Sequence, residues 1–275
     1  MISENEMNFP YVGIERGYFL DIQHFFGEKK LVGFKVLTSV CNFKCYYCHR
    51  EPFLYNDSNM LTVNQVLSEM KKWEPYNIVT LTGGEITLVA EPAVKIMDAL
   101  KLRDVNTVFS TNGYLTEKVD FLTKHADVVK IDVKCSRKTY KNVTGINGYE
   151  KAMESVGICS SRLDTEVKLL LHSFTTEDDI LSILKDLKDT TNYPSNLIIE
   201  FQLIKDFLHK NIQEPDANKM MDICKKTYPL PETVLLKHYG TEEVIYKLLN
   251  GEWVVYRKKE IPLIFNWEKT NIIKM

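Results

Sequence analysis

The chain has 275 residues, of which 44% are hydrophobic and 26% are charged, with a formal net charge of −2 at pH 7. This length suits one large domain, alone or with a small appendage, and the composition is that of an ordinary globular protein. The near-neutral charge excludes a basic field for non-specific nucleic-acid binding, and no stretch reaches the roughly twenty apolar residues that a membrane span needs.

Residues 1–32 are predicted to form an N-terminal extension before the main domain. The first six residues are acidic overall and lack the order of positive and then apolar residues that marks a signal peptide. We therefore expect a cytoplasmic protein whose cysteines are reduced.

From residue 33 to residue 228, apolar runs of strand length alternate with segments of helical periodicity. Strands are predicted at residues 34–40, 78–81, 105–110, 128–133, 167–171 and 197–203. Helices are predicted at residues 63–73, 92–101, 116–125, 150–159, 177–188 and 215–226. This alternation predicts an α/β fold with a parallel sheet and helices outside it, either a partial barrel of six units or an open doubly wound sheet.

Residues 229–275 are predicted to form a small β-rich C-terminal appendage. Pro229 and Pro231 break the alternation, and three apolar runs of strand length follow. The last two runs are separated by Asn250-Gly251, which is typical of a tight β-hairpin turn.

Three cysteines lie within eight residues, on the loop that follows the first predicted strand: Cys41, Cys45 and Cys48. Thiolates this close on one loop can all reach a single soft metal centre. A structural zinc site would take a fourth ligand, usually from a second Cys or His pair, and ferredoxin cysteine runs have other spacings. The pattern therefore indicates an iron–sulfur centre with one iron left open.

Two motifs resemble those of the radical S-adenosylmethionine (SAM) enzymes: Cys-x3-Cys-x2-Cys with Tyr47 before the last cysteine, and Gly83-Gly84-Glu85 after the second strand. The resemblance covers about residues 34–188. It implies a partial (β/α)6 TIM-like barrel and a [4Fe–4S] cluster on the three cysteines, with SAM on the fourth iron. It further implies reductive cleavage of SAM to a 5′-deoxyadenosyl radical that abstracts a substrate hydrogen atom. The electron would come from a reductant protein of the flavodoxin or ferredoxin type.

Polar residues follow the predicted strands at their carboxyl ends, where ligands gather in parallel strand–helix folds. The resemblance implies that the backbone of Gly83 and Gly84 contacts the SAM amino group, that Glu85 helps to hold it, and that Tyr47 lies near adenine. A plain turn with a solvated glutamate is the alternative for the glycine motif.

The third and fourth predicted strands also end in candidate site residues. Ser110, Thr111 and Asn112 either form a strand-ending turn or, as in similar proteins, reach the SAM carboxylate or ribose. Asp132 and Lys134 point the same way because they are two residues apart on one strand. Their string, Ile-Asp-Val-Lys, resembles the Asp-x-Lys segment of glycyl-radical-enzyme activases, in which both residues lie close to SAM; a surface ion pair is the alternative.

Four residues near the fifth and sixth strand ends face substrate or have ordinary surface or core roles: His172, Glu200, Lys205 and His209. The other cysteines are scattered, and each is expected to be a small buried hydrophobe: Cys135, Cys159 and Cys224.

The sequence allows two hypotheses about the substrate within this family. The cysteine loop and the string Ile-Asp-Val-Lys-Cys-Ser resemble activases of glycyl radical enzymes and anaerobic ribonucleotide reductases, which implies a large protein partner. A member that modifies a small molecule or peptide is the second reading. The loop also resembles cyclases of molybdenum-cofactor synthesis, which carry a C-terminal cysteine cluster that this sequence lacks. Outside the family stand a zinc-binding interaction module and an electron carrier with Cys135 as fourth ligand.

Overall fold

The computed structural model describes residues 7–17, 19, 21–48, 50–51, 54 and 59–203, and the backbone of four further strands between residues 233 and 273. Among these residues, no helix combines the length and the apolar character that crossing a membrane requires.

The described strands form one sheet of twelve, in the order β12-β11-β10-β9-β8-β7-β6-β5-β4-β2-β1-β3. They are β1 Asn8–Arg16, β2 Gly33–Thr38, β3 Met60–Thr62, β4 Ile78–Gly83, β5 Asn106–Thr111, β6 Val128–Val133, β7 Asp164–Leu171, β8 Leu197–Leu203, β9 Thr233–Tyr239, β10 Glu242–Leu249, β11 Glu252–Ile261 and β12 Ile264–Ile273. From β2 through β4 to β9 every neighbouring pair is parallel. The sheet does not close on itself, so the predicted α/β class and partial barrel are confirmed.

Six described α-helices connect these strands: α1 Val63–Lys71, α2 Ala90–Lys101, α3 Thr116–Leu122, α4 Tyr140–Thr144, α5 Tyr149–Ser160 and α6 Glu177–Thr191. Helices α1 and α6 begin with capping boxes, in which Thr62 and Thr176 accept hydrogen bonds from the backbone N–H three residues on. Alternate apolar residues of the parallel strands β2 and β4 to β8 pack on these helices in two buried clusters. We call the opposite face of the sheet the inner face.

The N-terminal segment covers the amino ends of the strands on the inner face. Phe19 and Ile22 are buried against Ile78, Val108 and Val128, which lie at or near the starts of three parallel strands. Strand β1 pairs antiparallel with β2 on one side and β3 on the other. The segment predicted as an extension is therefore paired with the sheet, although the boundary at residue 32 itself stays a prediction.

The C-terminal strands continue the same sheet. β9 pairs in parallel with β8, and β9 to β12 then form an antiparallel series. Strands β10 and β11 pair through Leu249 and Glu252, the register expected of a hairpin around residues 250–251, which themselves lie outside the described residues. The predicted helix 215–226 also lies outside them, and the domain boundary at residue 229 stays a prediction.

Candidate functional site

The cysteine loop, residues 41–48, follows β2 and is held by backbone hydrogen bonds to the end of α4. Lys44 N donates to Thr144 O at 2.9 Å and Tyr46 N donates to Val143 O at 3.2 Å. Its three cysteines are partly buried and form no disulfide. The loop therefore has a defined shape from protein contacts alone, and it presents three thiols on the carboxyl side of the sheet.

The electrostatics of the loop suit thiolate ligands of a metal. Burial raises the pKa of Cys41 to about 11, against a hydrogen bond that Phe43 N donates to its sulfur at 3.4 Å. Burial also raises the pKa of Cys45, while the Lys134 ammonium nearby lowers it. Cys41 and Cys45 thus keep their protons until a metal displaces them, and the Lys134 ammonium near their sulfurs offsets the resulting negative charge. The residues present fit a thiolate-bound iron–sulfur cluster.

The two glycines after β4 bring that strand end against the base of the cysteine loop. Gly84 N donates to Thr38 O at 2.9 Å, and Glu85 N donates to Val40 O at 2.6 Å. Gly83 has a φ of +111°, and a Cβ placed on Gly84 would lie 1.9 Å from Val40 O. Only glycine permits this approach, so the motif joins the β4 end to the loop.

Glu85 joins the β4 end to the β5 end. Its carboxylate is 1% exposed and accepts hydrogen bonds from Thr111 Oγ1 at 2.6 Å and from Asn112 N at 2.7 Å. Thr87 donates to it through both its N–H and its hydroxyl, at 3.1 and 2.7 Å. Burial raises the pKa of Glu85, and these hydrogen bonds oppose that rise. The carboxylate is therefore an internal acceptor that fixes the ends of two strands. Ser110 lies half-buried in β5, two residues before Asn112.

An asparagine that sequence reasoning missed stands next to this group. Asn112 Nδ2 donates to Asn42 Oδ1 at 2.7 Å, while Asn112 Oδ1 accepts from Tyr114 N at 3.0 Å. Asn42 Nδ2 is buried and has no hydrogen-bond partner within the described part of the chain. Buried donors of this kind are normally satisfied, so this amide has a free donor next to the cysteine loop.

His172, at the end of β7, connects the cysteine loop to the end of β6. Its Nε2 donates to Lys134 O at 2.8 Å, so its Nδ1 accepts from the Tyr46 hydroxyl at 2.9 Å. Burial lowers the pKa of His172 to about 4, and the ring is therefore neutral. The Tyr47 ring packs against it with the ring centres 5.0 Å apart. His172 thus has its two ring nitrogens occupied by the loop and by β6.

We expect Tyr46→Phe to lower the free energy of unfolding by about 1 kcal/mol, because it leaves the buried Nδ1 of His172 without a donor. The loosened loop should also retain less iron after gel filtration of the reconstituted protein. A matched control is Tyr193→Phe, which removes a hydroxyl that donates to Leu184 O at 2.6 Å, away from the loop. Equal iron retention by the two variants would contradict this role for Tyr46.

Asp132 and Lys134 form an ion pair beside the cysteine loop, with Lys134 Nζ 2.5 Å from Asp132 Oδ2. Burial disfavours the Lys134 ammonium, but Asp132 and the sulfurs of Cys45 and Cys41 outweigh burial and raise its pKa. The two side chains are 23% and 14% exposed. The pair is therefore a partly accessible charge pair on the inner face, close to two of the three cysteines.

The model of the Radical SAM superfamily matches residues 36–187, which is more than half of the chain. This chain belongs to the Radical SAM superfamily. The matched segment includes the cysteine loop, the glycine motif and the ends of β5 and β6. Enzymes of this superfamily generally use a [4Fe–4S] cluster and SAM.

Curated relatives resemble part of this chain. A probable GTP 3′,8-cyclase of Saccharolobus islandicus is 35% identical over 128 residues, covering 44% of this chain and 40% of that protein. A pyruvate formate-lyase-activating enzyme of Clostridium pasteurianum is 30% identical over 131 residues, covering 43% of this chain and 55% of that protein. The chain thus spans about half the length of the curated relatives it matches.

Solved structures share the fold at low sequence identity. A structure of TYW1 with a lysine–pyruvate adduct bound matches with a TM-score of 0.54 and 11% identity, covering 84% of this chain and 89% of that one. A structure of Streptococcus suis SuiB bound to SAM also has a TM-score of 0.54, with 13% identity, covering 72% of this chain and 48% of that one. At these identities the likeness concerns the fold alone.

Proposed function

We propose that Cys41, Cys45 and Cys48 hold a [4Fe–4S] cluster and that the enzyme abstracts a hydrogen atom from a carbon of its substrate. The bound cluster and SAM would supply the 5′-deoxyadenosyl radical for that abstraction. The family match at residues 36–187 carries this proposal. The hydrogen bonds that join the glycine motif to the base of the cysteine loop support it, because they bring both motifs to one edge of the sheet.

The remaining residues at this edge would bind and orient SAM. Gly83 and Gly84 would offer backbone groups to its amino end, with Glu85 behind them as the acceptor that keeps β4 and β5 in place. Ser110, Thr111 and Asn112 would line its carboxylate or ribose. These assignments follow the family resemblance, and the buried, polar surroundings of the Glu85 carboxylate are compatible with them.

Three further residues extend this proposed site. The free Nδ2 of Asn42 would donate a hydrogen bond to an oxygen of SAM, and Tyr47 would pack near adenine. The Lys134 ammonium, fixed by Asp132, would offset negative charge at the cluster. A reductant protein of the flavodoxin or ferredoxin type would supply the electron, and dithionite replaces it in vitro.

Activation of a glycyl radical enzyme is the first candidate reaction. It is supported by the similarity to a pyruvate formate-lyase-activating enzyme and by the Asp132–Lys134 string. On this reading the substrate is a glycine Cα of a large partner protein.

Modification of a small molecule or a peptide is the second candidate reaction. A structure of SuiB bound to its precursor peptide SuiA has the same fold, with a TM-score of 0.51. The charged inner face of the sheet favours this reading, since it offers polar groups to a substrate that enters the barrel.

Anaerobic reconstitution tests the proposal. The protein is loaded with iron and sulfide, mixed with SAM and dithionite, and assayed for 5′-deoxyadenosine. We expect the wild-type protein to be brown and to form deoxyadenosine. In Cys45→Ala the colour should be lost and deoxyadenosine formation should fall by at least about 100-fold, since the variant lacks a ligand and changes outside the ligand shell alone reduce metal affinity or activity 10–100-fold. Cys159→Ala is the matched control, because Cys159 is buried in the core between helices and sheet.

Two outcomes would overturn the proposal. A colourless, zinc-loaded protein that leaves SAM intact would identify the loop as a structural zinc site. Loss of iron in Cys135→Ala would identify a fourth ligand and favour an electron carrier; Cys135 is 2% exposed and burial raises the pKa of its thiol to about 12.

A further inference from the structure

The inner face of the sheet carries acidic and basic side chains on three neighbouring strands. The register of β6, β7 and β8 places Lys130 beside Glu166, and it places Asp132, Lys168 and Glu200 side by side in one row. Barrel interiors are usually filled by branched apolar side chains. Charged groups at these positions lose hydration, which partners of opposite charge or a polar ligand must offset.

Glu200 has fewer partners than a buried carboxyl group usually has. It is 0% exposed, and its one hydrogen-bonding neighbour in the part of the chain that the structure describes is the carboxyl group of Glu166. The cation recorded closest to it, Lys168 Nζ, lies 3.6 Å from Oε1, which is too long for a hydrogen bond. Glu166 Oε2 lies 2.9 Å from Lys130 Nζ, which is hydrogen-bond distance, whereas Glu166 Oε1 lies 3.8 Å from Lys168 Nζ. Apart from each other and Lys130, these two buried carboxyl groups therefore have no hydrogen-bond partner among the described residues.

The local charges leave one negative charge over. Asp21, Glu166 and Glu200 each offer an oxygen within 4.8 Å of the others. Two ammonium groups, Lys130 and Lys168, pair with these three carboxyl groups. Burial, with Glu166 and Asp21, raises the pKa of Glu200 well above its usual range, against the opposing effect of Lys168. Glu200 thus holds a proton, which it donates to Glu166, where a cation would otherwise balance it.

A third lysine of the inner face, Lys35, does not fill this place. Lys35 makes no ion pair within 4.0 Å with a carboxylate of the described residues; burial lowers its pKa, while Glu15 and Asp21 oppose that from a longer distance. A divalent metal ion is also a poor match, because it would bring two positive charges to a group that lacks one and that already contains two ammonium groups.

The row that contains Glu200 leads towards the cysteine loop. Asp132 and Lys168 are 23% and 19% exposed, so solvent reaches this row from its accessible end. Lys134, which stands beside Cys45 and Cys41, is two residues beyond Asp132, about 7 Å along the strand. A ligand anchored at Glu200 would therefore extend its carbon chain towards the proposed SAM site.

We propose that Glu200 and Glu166 bind the ammonium or guanidinium group of the substrate. The substrate class is then an organic cation, either a small amine or a cationic side chain of a peptide. This inference rests on the proposed function, to which it adds the chemistry of the substrate. A binding group deep in the inner face selects against a large folded partner whose glycine would be the target.

The test compares organic probes of one size and different charge on the reconstituted protein with SAM bound. Isothermal titration with n-butylammonium, n-butanol and butanoate should give at least about tenfold tighter binding of the cation than of either other probe. Glu200→Gln should remove that preference, because its amide has the shape of the protonated carboxyl group but cannot become an anion. The same similarity predicts that the variant folds, which circular dichroism checks. Glu154→Gln, an exposed carboxylate paired with Lys151, should change nothing.

Equal binding of the cation and the alcohol by the wild-type protein would overturn the inference, and this comparison holds even if Glu200→Gln fails to fold. Unchanged cation binding in folded Glu200→Gln would overturn it as well, as would tighter binding of Mg²⁺ than of n-butylammonium at this site.

Deoxyadenosine formation without any preference for cations would leave the proposed function in place. Absence of deoxyadenosine in every protein would overturn the proposed function, while the calorimetry still reports on the cation site. Stimulation of deoxyadenosine formation by L-lysine, or only by Gly-Lys-Gly, would distinguish a small amine from a peptide side chain.

Discussion

Gly84→Ala should lower the free energy of unfolding by about 3 kcal/mol and abolish 5′-deoxyadenosine formation. A Cβ at this position would lie 1.9 Å from Val40 O and 2.6 Å from the carbonyl carbon of Val40, and backbone atoms cannot turn aside as the end of a side chain can. The β4 end must then move away from the base of the cysteine loop, which breaks the hydrogen bonds from Gly84 N and Glu85 N. Thermal unfolding should show a midpoint lower by roughly 6–12 °C for a domain of this size.

Gly157→Ala is the matched control for this substitution. Gly157 lies within α5, where alanine is favoured over glycine by about 1 kcal/mol, and the added Cβ would meet Thr190 Cγ2 at 3.1 Å. The higher helix propensity of alanine stabilises the helix, and the small displacement of Thr190 costs stability. Because these effects oppose each other, we expect little change in the midpoint of thermal unfolding and full activity. A Gly84→Ala protein with wild-type midpoint and activity would contradict the close approach of β4 to the loop.

Glu85→Ala should lower the free energy of unfolding by about 3–5 kcal/mol. The substitution leaves the hydroxyls of Thr87 and Thr111 and the N–H groups of Thr87 and Asn112 without their acceptor, in a place that water does not reach. Because these bonds join the ends of β4 and β5, the residues proposed to line SAM should lose their alignment. Urea unfolding measures the first effect, and SAM titration at a temperature where the variant is folded measures the second.

The control for Glu85 is Glu91→Ala, which removes an exposed carboxylate that pairs with Lys118. Exposed ion pairs contribute at most about 1 kcal/mol, so the control should unfold close to the wild-type protein and bind SAM normally. If Glu85→Ala lost SAM affinity with its unfolding free energy unchanged, the carboxylate would act on SAM directly and the structural account of it would be wrong.

The parallel strands β2 and β4 to β8 could be predicted from the sequence because each is a run of branched apolar residues buried on its outer face. The run at residues 128–133 matches β6 at both ends. The run at residues 34–40 overshoots, since the strand ends at Thr38. Past that point Ser39 N donates to Pro10 O and Val40 O accepts from Glu85 N, so tertiary bonds end the strand where the apolar pattern continues.

The elements that hold the site are the ones that local patterns missed. Helix α4 has five residues, Tyr140–Thr144, and is followed by Gly145 with a φ of 79°, so it is too short for a helical period to be seen. Strand β1 contains Pro10 and an irregular register between Tyr11 and Gly13, which hides its alternation. The acceptors for the cysteine loop come from α4, so the loop could be recognised by its spacing while its support could not.

The charged inner face did have a signal in the sequence. Lys130 and Asp132 lie in the predicted strand 128–133 and Lys134 follows it, each separated from the next by an apolar residue; Glu166 and Lys168 alternate in the same way at the start of the predicted strand 167–171. This period of two places the charges on one face, opposite the helices. Of Lys130, Asp132 and Lys134, only Asp132 and Lys134 were predicted as site residues. By contrast, the Tyr46–His172 contact spans 126 residues and could come only from the fold.

The docking of the N-terminal segment has a consequence for the growing chain on the ribosome. Asp21 pairs with Lys130, which is 109 residues later, and Phe19 and Ile22 pack on strands that are also made later. At a synthesis rate of about 5–20 residues per second, Asp21 waits roughly 5–20 seconds for its partner. During that time two apolar side chains that end up buried are exposed on the nascent chain. The inner face can acquire its final charge pattern only after this early segment has packed against the strands that are synthesised after it.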